Sequence, residues 1–212
     1  MGHREFFNSH ADRWDDTCRH DADKITHILD YIGLTEGDTV LDVGTGTGIL
    51  VPYLVERVGP SGTIVAVDIA EGMLAVAKSR HKQRNVSFIH GDILDVPLAK
   101  ERYDHVICFS VFPHFRDKGN AMNILGSYLK AGGRLTICHS RNREAINSFH
   151  RNLHPAVAED YLPDLEAVKE LSISVGLESY ISVDSNSIYL VSVRKPDSGE
   201  KGADELPWDC RL

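Results

Sequence analysis

No stretch of this sequence approaches the ~18 consecutive apolar residues of a membrane span, so no membrane partner is expected. Basic clusters are equally scarce. Beyond Arg80-His81-Lys82-Gln83-Arg84 there is none, and the formal charge is −8. A phosphate backbone is gripped by a basic face, so nucleic acid is not the expected partner. The short basic run reads as the solvated end of a helix. Only four cysteines occur, Cys18, Cys108, Cys138 and Cys210, without CxxC or other zinc-like spacing. Two of them stand inside apolar, strand-like runs, so they read as reduced and mostly buried thiols. No internal repeat is visible. The opening Met1-Gly2-His3-Arg4-Glu5 lacks the apolar core of a secretory signal, and Phe6 stands where myristoylation needs Ser or Thr. A cytoplasmic protein is expected.

What is present fits a single globular domain: 212 residues, 42% hydrophobic and 25% charged, are enough for one sizeable core but not for two domains with linkers. Ile25, Ile28, Leu29 and Ile32 recur at helical spacing before Gly33, which predicts an amphipathic helix over 22–32. Short apolar runs then alternate with helical stretches. Strands are expected at 39–43, 63–67, 86–89, 106–109 and 135–138, and helices from about Gly48, through Met73–Ala77, and near 120–129. Continuous apolar strands in a βαβ series imply a parallel sheet covered on both faces. A further helix from Leu165 to Gly176 and two strands around the polar turn Asp184-Ser185-Asn186-Ser187 predict a terminal antiparallel pair. Residues 196–212 are polar and turn-rich, and read as a poorly ordered tail.

The stretch "VLDVGTGTGIL" sets three glycines, Gly44, Gly46 and Gly48, directly after the first strand. That is where an open α/β sheet binds ligands, and glycine lets a backbone turn sharply and approach a ligand closely. The spacing is GxGxG rather than the GxGxxG of dinucleotide sites, which argues against a nicotinamide-dependent oxidoreductase. Two carboxylates stand in register with the turn. Asp68 ends the second strand, 20 residues beyond Gly48, where it can accept ribose hydroxyls, and Asp92 ends the third, where it can accept the exocyclic amine of adenine. Either can also cap a helix, but three such features at successive strand ends favour a ligand.

Together with "VAVDIAEGML", "GDILDVPL", "YDHVICFSVFPHF" and "LKAGGRLTICHS", these motifs resemble the class I S-adenosylmethionine-dependent methyltransferases. The resemblance is to the small-molecule group that includes ubiquinone/menaquinone methyltransferases, and it runs over about residues 5 to 195. It implies a Rossmann-like, doubly wound, seven-stranded, mostly parallel sheet with an antiparallel last strand. It implies a lid over 1–34 ahead of a cofactor-binding domain over 35–195. S-adenosylmethionine would be held at its methionine end by Asp42, Gly44, Thr45, Gly46 and Gly48, at its ribose by Asp68, and at its adenine by Asp92 and Ile93. Ile69 and Met73 would pack on the adenine ring, Phe109 would border the donor, and Trp14 would close on the methyl group.

Histidines cluster where the acceptor should sit. His114 follows the fourth strand, His139 follows the fifth, and His150 and His154 are four apart in the next segment. That spacing is used by metal ligands on a helix, yet His154 precedes Pro155, where a helix should end. His114, His139 and His150 are therefore expected to orient the acceptor or take its proton, and no metal is assigned. Cys18, Cys108 and Cys138 invite comparison with arsenite methyltransferases, but no matching cysteine pattern is present. The expected partner is a small-molecule acceptor of unidentified nucleophilic atom, and nothing fixes the oligomeric state. The alternative is a non-catalytic protein on the same fold that binds S-adenosylmethionine, a metal or haem.

Overall fold

The structure, a computed structural model, describes residues 1–197. The expected tail from 196, and Cys210 with it, thus lies outside the described residues except for its first two positions.

Strands β1 (Thr39–Val43), β2 (Thr63–Asp68), β3 (Val86–His90), β4 (Tyr103–Phe109), β5 (Leu129–His139), β6 (Glu178–Asp184) and β7 (Tyr189–Arg194) form one seven-stranded sheet, ordered β3-β2-β1-β4-β5-β7-β6. The first five pair in parallel, whereas β7 runs antiparallel to both β5 and β6. The expected antiparallel last strand is present, inserted between its hairpin partner and the parallel set.

Alternation along each strand explains why both faces are covered. Val40 packs with Ile64, Ile107 and Leu190 on one face, and Leu41 and Val43 pack with Val106, Leu135 and Val191 on the other. Helices α3 (Ala22–Ile32) and α4 (Val51–Val58) bury the first face, while α6 (Lys118–Tyr128) and α8 (Leu165–Ser174) bury the second. Period-two side chains thus meet period-3.6 stripes on both sides, the packing that a doubly wound sheet requires. Local chemistry sets the boundaries of these helices. Asp21 caps α3 by accepting from the Asp23 and Lys24 N–H groups at 2.9 and 3.3 Å, and Gly33, at φ 66°, terminates it.

Three boundaries differ from expectation. The helix after the glycine turn begins at Val51 rather than near Gly48, because residues 46–50 first form turns, with the Gly48 N–H donating to the Thr45 carbonyl at 3.0 Å. Strand β5 starts at Leu129, well before the expected 135, and its pairing with β4 shifts register between Tyr103 and His105, a bulge that absorbs Gly132 and Gly133. Helix α7 (Arg143–Leu153) ends one residue before His154, whose backbone is extended ahead of Pro155.

The N-terminal segment consists of α1 (His3–His10), a 3-10 turn over Ala11–Arg13 and α2 (Trp14–Thr17). It docks on α5 (Glu71–Arg80): Phe7 and Trp14 pack with Ala11, Ala70 and Met73. Asn8 Oδ1 accepts the Gly72 N–H at 2.8 Å.

Candidate functional site

From β1 the chain steps one way to β2 and β3, then crosses back to β4 on the other side, leaving a crevice at the carboxyl ends of β1 and β4. A cavity fills this crevice. The turn Gly44–Thr47, Asp68 with Ile69, Asp92 with Ile93, and Phe109–Val111 line its sheet side, and Phe6, Phe7 and Trp14 line the opposite wall. Ten of the twelve residues expected to hold the donor border it: Trp14, Gly44, Thr45, Gly46, Asp68, Ile69, Met73, Asp92, Ile93 and Phe109.

Two do not, and the glycine turn explains the difference. All three glycines have positive φ (66°, 57° and 83°), which L side chains rarely adopt. A Cβ on Gly44 would lie 2.4 Å from Val111 Cγ2, and one on Gly48 would lie 2.8 Å from the His81 ring. Only at Gly46 does a Cβ meet nothing within 4 Å. Val111 and His81 thus crowd Gly44 and Gly48, whereas Gly46 has open space where a Cβ would stand; Gly44 and Gly46 both line the cavity. Asp42 sits behind the turn, 2% exposed, with Oδ2 lacking a hydrogen-bond partner. Burial pushes its carboxyl up to about 7, and the nearby Asp68 charge acts in the same direction.

Asp68 is fixed by backbone. Its Oδ2 accepts the Gly46 N–H at 2.7 Å and its Oδ1 the Ala70 N–H at 2.8 Å, so the carboxylate ties the glycine turn to the start of α5. Burial raises its pKa, and these two N–H groups oppose the rise. Asp92 faces the cavity and accepts the Leu94 N–H at 3.0 Å within a turn; no helix follows for it to cap. Ser110, at the end of β4, lines the cavity with φ 57°, a conformation costly for a non-glycine residue and common at ligand sites.

His114, His139 and His150 all reach the cavity. His139 belongs to its buried floor: it is 1% exposed, and neither ring nitrogen has a partner among the described residues. Burial, reinforced by His150, His114 and His20, holds its pKa well below the ordinary value, so the ring is neutral. His150 is likewise lowered to about 4, mainly by burial. The i,i+4 pair does not form. His154 lies beyond the end of α7, stacks on Phe6 with ring centroids 5.0 Å apart, and accepts the Ala156 N–H.

Several further contacts in and beside the cavity had no counterpart among the sequence expectations. The thiol of Cys18 is 3.6 Å from His20 Nε2, and burial raises its pKa, so it is not poised as a thiolate. His20 Nδ1 is 2.8 Å from Ser140 Oγ, and Arg141 stacks over Phe149. Asp15 accepts from Thr47 Oγ1 at 2.6 Å and pairs with Arg80, fastening the N-terminal segment to the glycine turn. Asp160, in the irregular loop after α7, accepts from His3 and His114. None of these contacts follows from spacing along the chain. The three cysteines among the described residues form no disulfide, and Cys108 and Cys138 are fully buried in strands.

Comparison with known proteins agrees with this geometry. A family model described as a methyltransferase domain matches residues 34–173. The malonyl-[acyl-carrier protein] O-methyltransferase of Acetivibrio thermocellus is 35% identical over 129 residues, 60% of this chain and 45% of that protein. The ubiquinone/menaquinone biosynthesis C-methyltransferase of Pasteurella multocida is 27% identical over 69% of this chain and 59% of its own length. The chain thus spans about half the length of the curated relatives it matches. Among solved structures, an S-adenosylmethionine-dependent methyltransferase from Aquifex aeolicus superposes with a TM-score of 0.70 at 23% identity, covering 92% of this chain and 99% of that one, which establishes the shared fold. With the family model spanning the sheet from just before β1 through most of α8, this chain belongs to the class I S-adenosylmethionine-dependent methyltransferases.

Proposed function

We propose that this protein transfers the methyl group of S-adenosylmethionine to a small-molecule acceptor bound on the histidine side of the cavity. The observation that carries the reading is the continuity of one cavity from Gly46, Asp68 and Asp92 at the sheet edge to His139 and His114 beneath the N-terminal segment. Its residues suit the donor. Asp68 and Asp92 offer lone pairs to hydroxyls and an amine, and Ile69, Met73 and Ile93 offer an apolar slot for a base. Gly46 has open space where a Cβ would stand, and the Asp42 carboxyl lies behind it with Oδ2 unpartnered, where a cationic methionine end would favour its ionised form.

S-adenosylmethionine, once bound, supplies a methyl group on a sulfonium that leaves without acid assistance. The protein's work is then alignment and exclusion of water. In this reading residues 1–34 act as a lid: Phe6, Phe7 and Trp14 wall the cavity, and the Asp15–Thr47 hydrogen bond holds that wall down. His139 enters neutral with two unpaired nitrogens, so it can orient a polar acceptor through hydrogen bonds, while His114, backed by Asp160, is the better placed proton acceptor.

Calorimetric titration with S-adenosylmethionine and its demethylated product tests the donor half. Asp68→Ala is expected to weaken binding at least roughly tenfold, from the loss of hydrogen bonds to a charged group. Unchanged affinity in that variant would overturn the site assignment.

A further inference from the structure

The His3–Asp160–His114 cluster is left over once the donor site is accounted for. His3 Nε2 lies 2.8 and 3.1 Å from the two Asp160 carboxylate oxygens, and His114 Nδ1 lies 2.6 Å from Oδ2. One potential ligand atom from each residue falls within 4.8 Å of the others. The residues come from three distant segments: α1, the loop after β4 and the loop after α7. Their side chains are 19%, 15% and 10% exposed for His3, His114 and Asp160, which is sheltered but reachable. Phe7 and His150 flank the His114 ring, at centroid distances of 5.1 and 5.0 Å, restricting its rotation.

We propose that His3, His114 and Asp160 form a binding site for a divalent first-row transition-metal ion of the zinc or iron(II) class. Two imidazoles and one carboxylate are the donor set that favours such ions over magnesium or calcium, which prefer all-oxygen shells. Neighbouring ligand atoms on a shell of ~2.1 Å radius stand roughly 3 Å apart, close to the two histidine–Asp160 spacings already present, and the two histidines offer nitrogens within 4.8 Å of each other, so an ion enters by side-chain movement. Each imidazole then presents a lone pair rather than an N–H, by a change of tautomer. Three protein ligands leave at least one coordination position for water or another ligand. Because His3 and His114 also line the cavity, the ion is accessible from it. The i,i+4 pair that the sequence offered for a metal, His150 and His154, is not the site; the loop aspartate organises a different set. Metal binding here does not depend on methyl transfer.

The test uses untagged, metal-stripped full-length protein. Zinc is titrated by calorimetry and cobalt(II) by its visible absorption, both without S-adenosylmethionine. One equivalent is expected, with cobalt bands of a nitrogen/oxygen site lacking thiolate charge transfer. His114→Ala and Asp160→Asn are each expected to weaken binding at least about 100-fold, the upper end of what even outer-shell changes cost. Cys18→Ser, which touches the neighbouring thiol–imidazole pair, should leave binding unchanged. Circular dichroism checks that each variant is folded. Asp160→Asn keeps the side-chain shape, so it still decides the matter if His114→Ala does not fold. Less than one equivalent in the parent protein, or affinity retained in folded Asp160→Asn, would overturn the proposal and leave the cluster a hydrogen-bonded latch. Donor affinity, measured separately, distinguishes this failure from failure of the methyltransferase reading.

Discussion

Gly44 separates backbone need from ligand need within the glycine turn. Its φ of 66° costs a side-chain-bearing residue about 1–3 kcal/mol, and its missing Cβ is replaced by Val111, not by open space. Gly44→Ala is therefore expected to destabilise the fold by roughly 2–4 kcal/mol, strain and overpacking acting together. Urea denaturation checks it; a loss below about 1 kcal/mol would mean that the turn relaxes. The glycines were legible as a turn because their spacing is local. Which of them is crowded by side chains was not, because Val111 and His81 are brought there from 67 and 33 positions away (111−44 and 81−48). Asp68 and Asp92 were legible for the complementary reason, since each follows directly from the end of its strand. Asp160 was not, because nothing in its own loop distinguishes it from other acidic residues.

The N-terminal segment illustrates how an element is held by a few contacts. Its helices are short, and isolated helices of this length are marginal in water, so it owes its order to docking on α5 and to the Asp15–Thr47 and Asn8–Gly72 hydrogen bonds. The Asp15 bond is charge-assisted and worth about 1.5–3 kcal/mol. Asp15→Ala should thus raise amide exchange across residues 1–20 by roughly ten- to a hundredfold while leaving β1, β4 and β5 protected. Unchanged exchange in that segment would contradict its role as a separately fastened wall. Strand and helix identities were readable from apolar periodicity. The longer β5 was not, because its first half pairs across a bulge and carries two glycines, which interrupt the apolar run.

Acid should weaken the folded protein as a unit. Burial holds His20, His105 and His150 at about 4 and His139 well below its ordinary value, whereas unfolded imidazoles titrate near ~6.5. Between about 6.5 and 4 the unfolded chain therefore takes up four protons that the folded chain refuses, and stability falls with pH. Asp42, raised to about 7, and Asp68, also raised, act oppositely by holding protons only when folded. More histidines are held neutral by folding than carboxyls are held protonated, so the net effect is a loss of stability as the pH falls through this range. Urea midpoints at pH 7 and 5.5 check the sign; an unchanged or higher midpoint at 5.5 would show that the buried histidines open to water at little cost. Among the described residues no helix is long and apolar enough to cross a membrane, in keeping with the hydropathy of the sequence. The order of strands and helices, the covered sheet, the glycine turn and the carboxylates at strand ends follow from the sequence, because each is written in the periodicity or spacing of adjacent residues. The histidine floor, the single open glycine and the convergence of His3, His114 and Asp160 needed the folded chain, because those groups meet through packing of segments that share no register along the backbone.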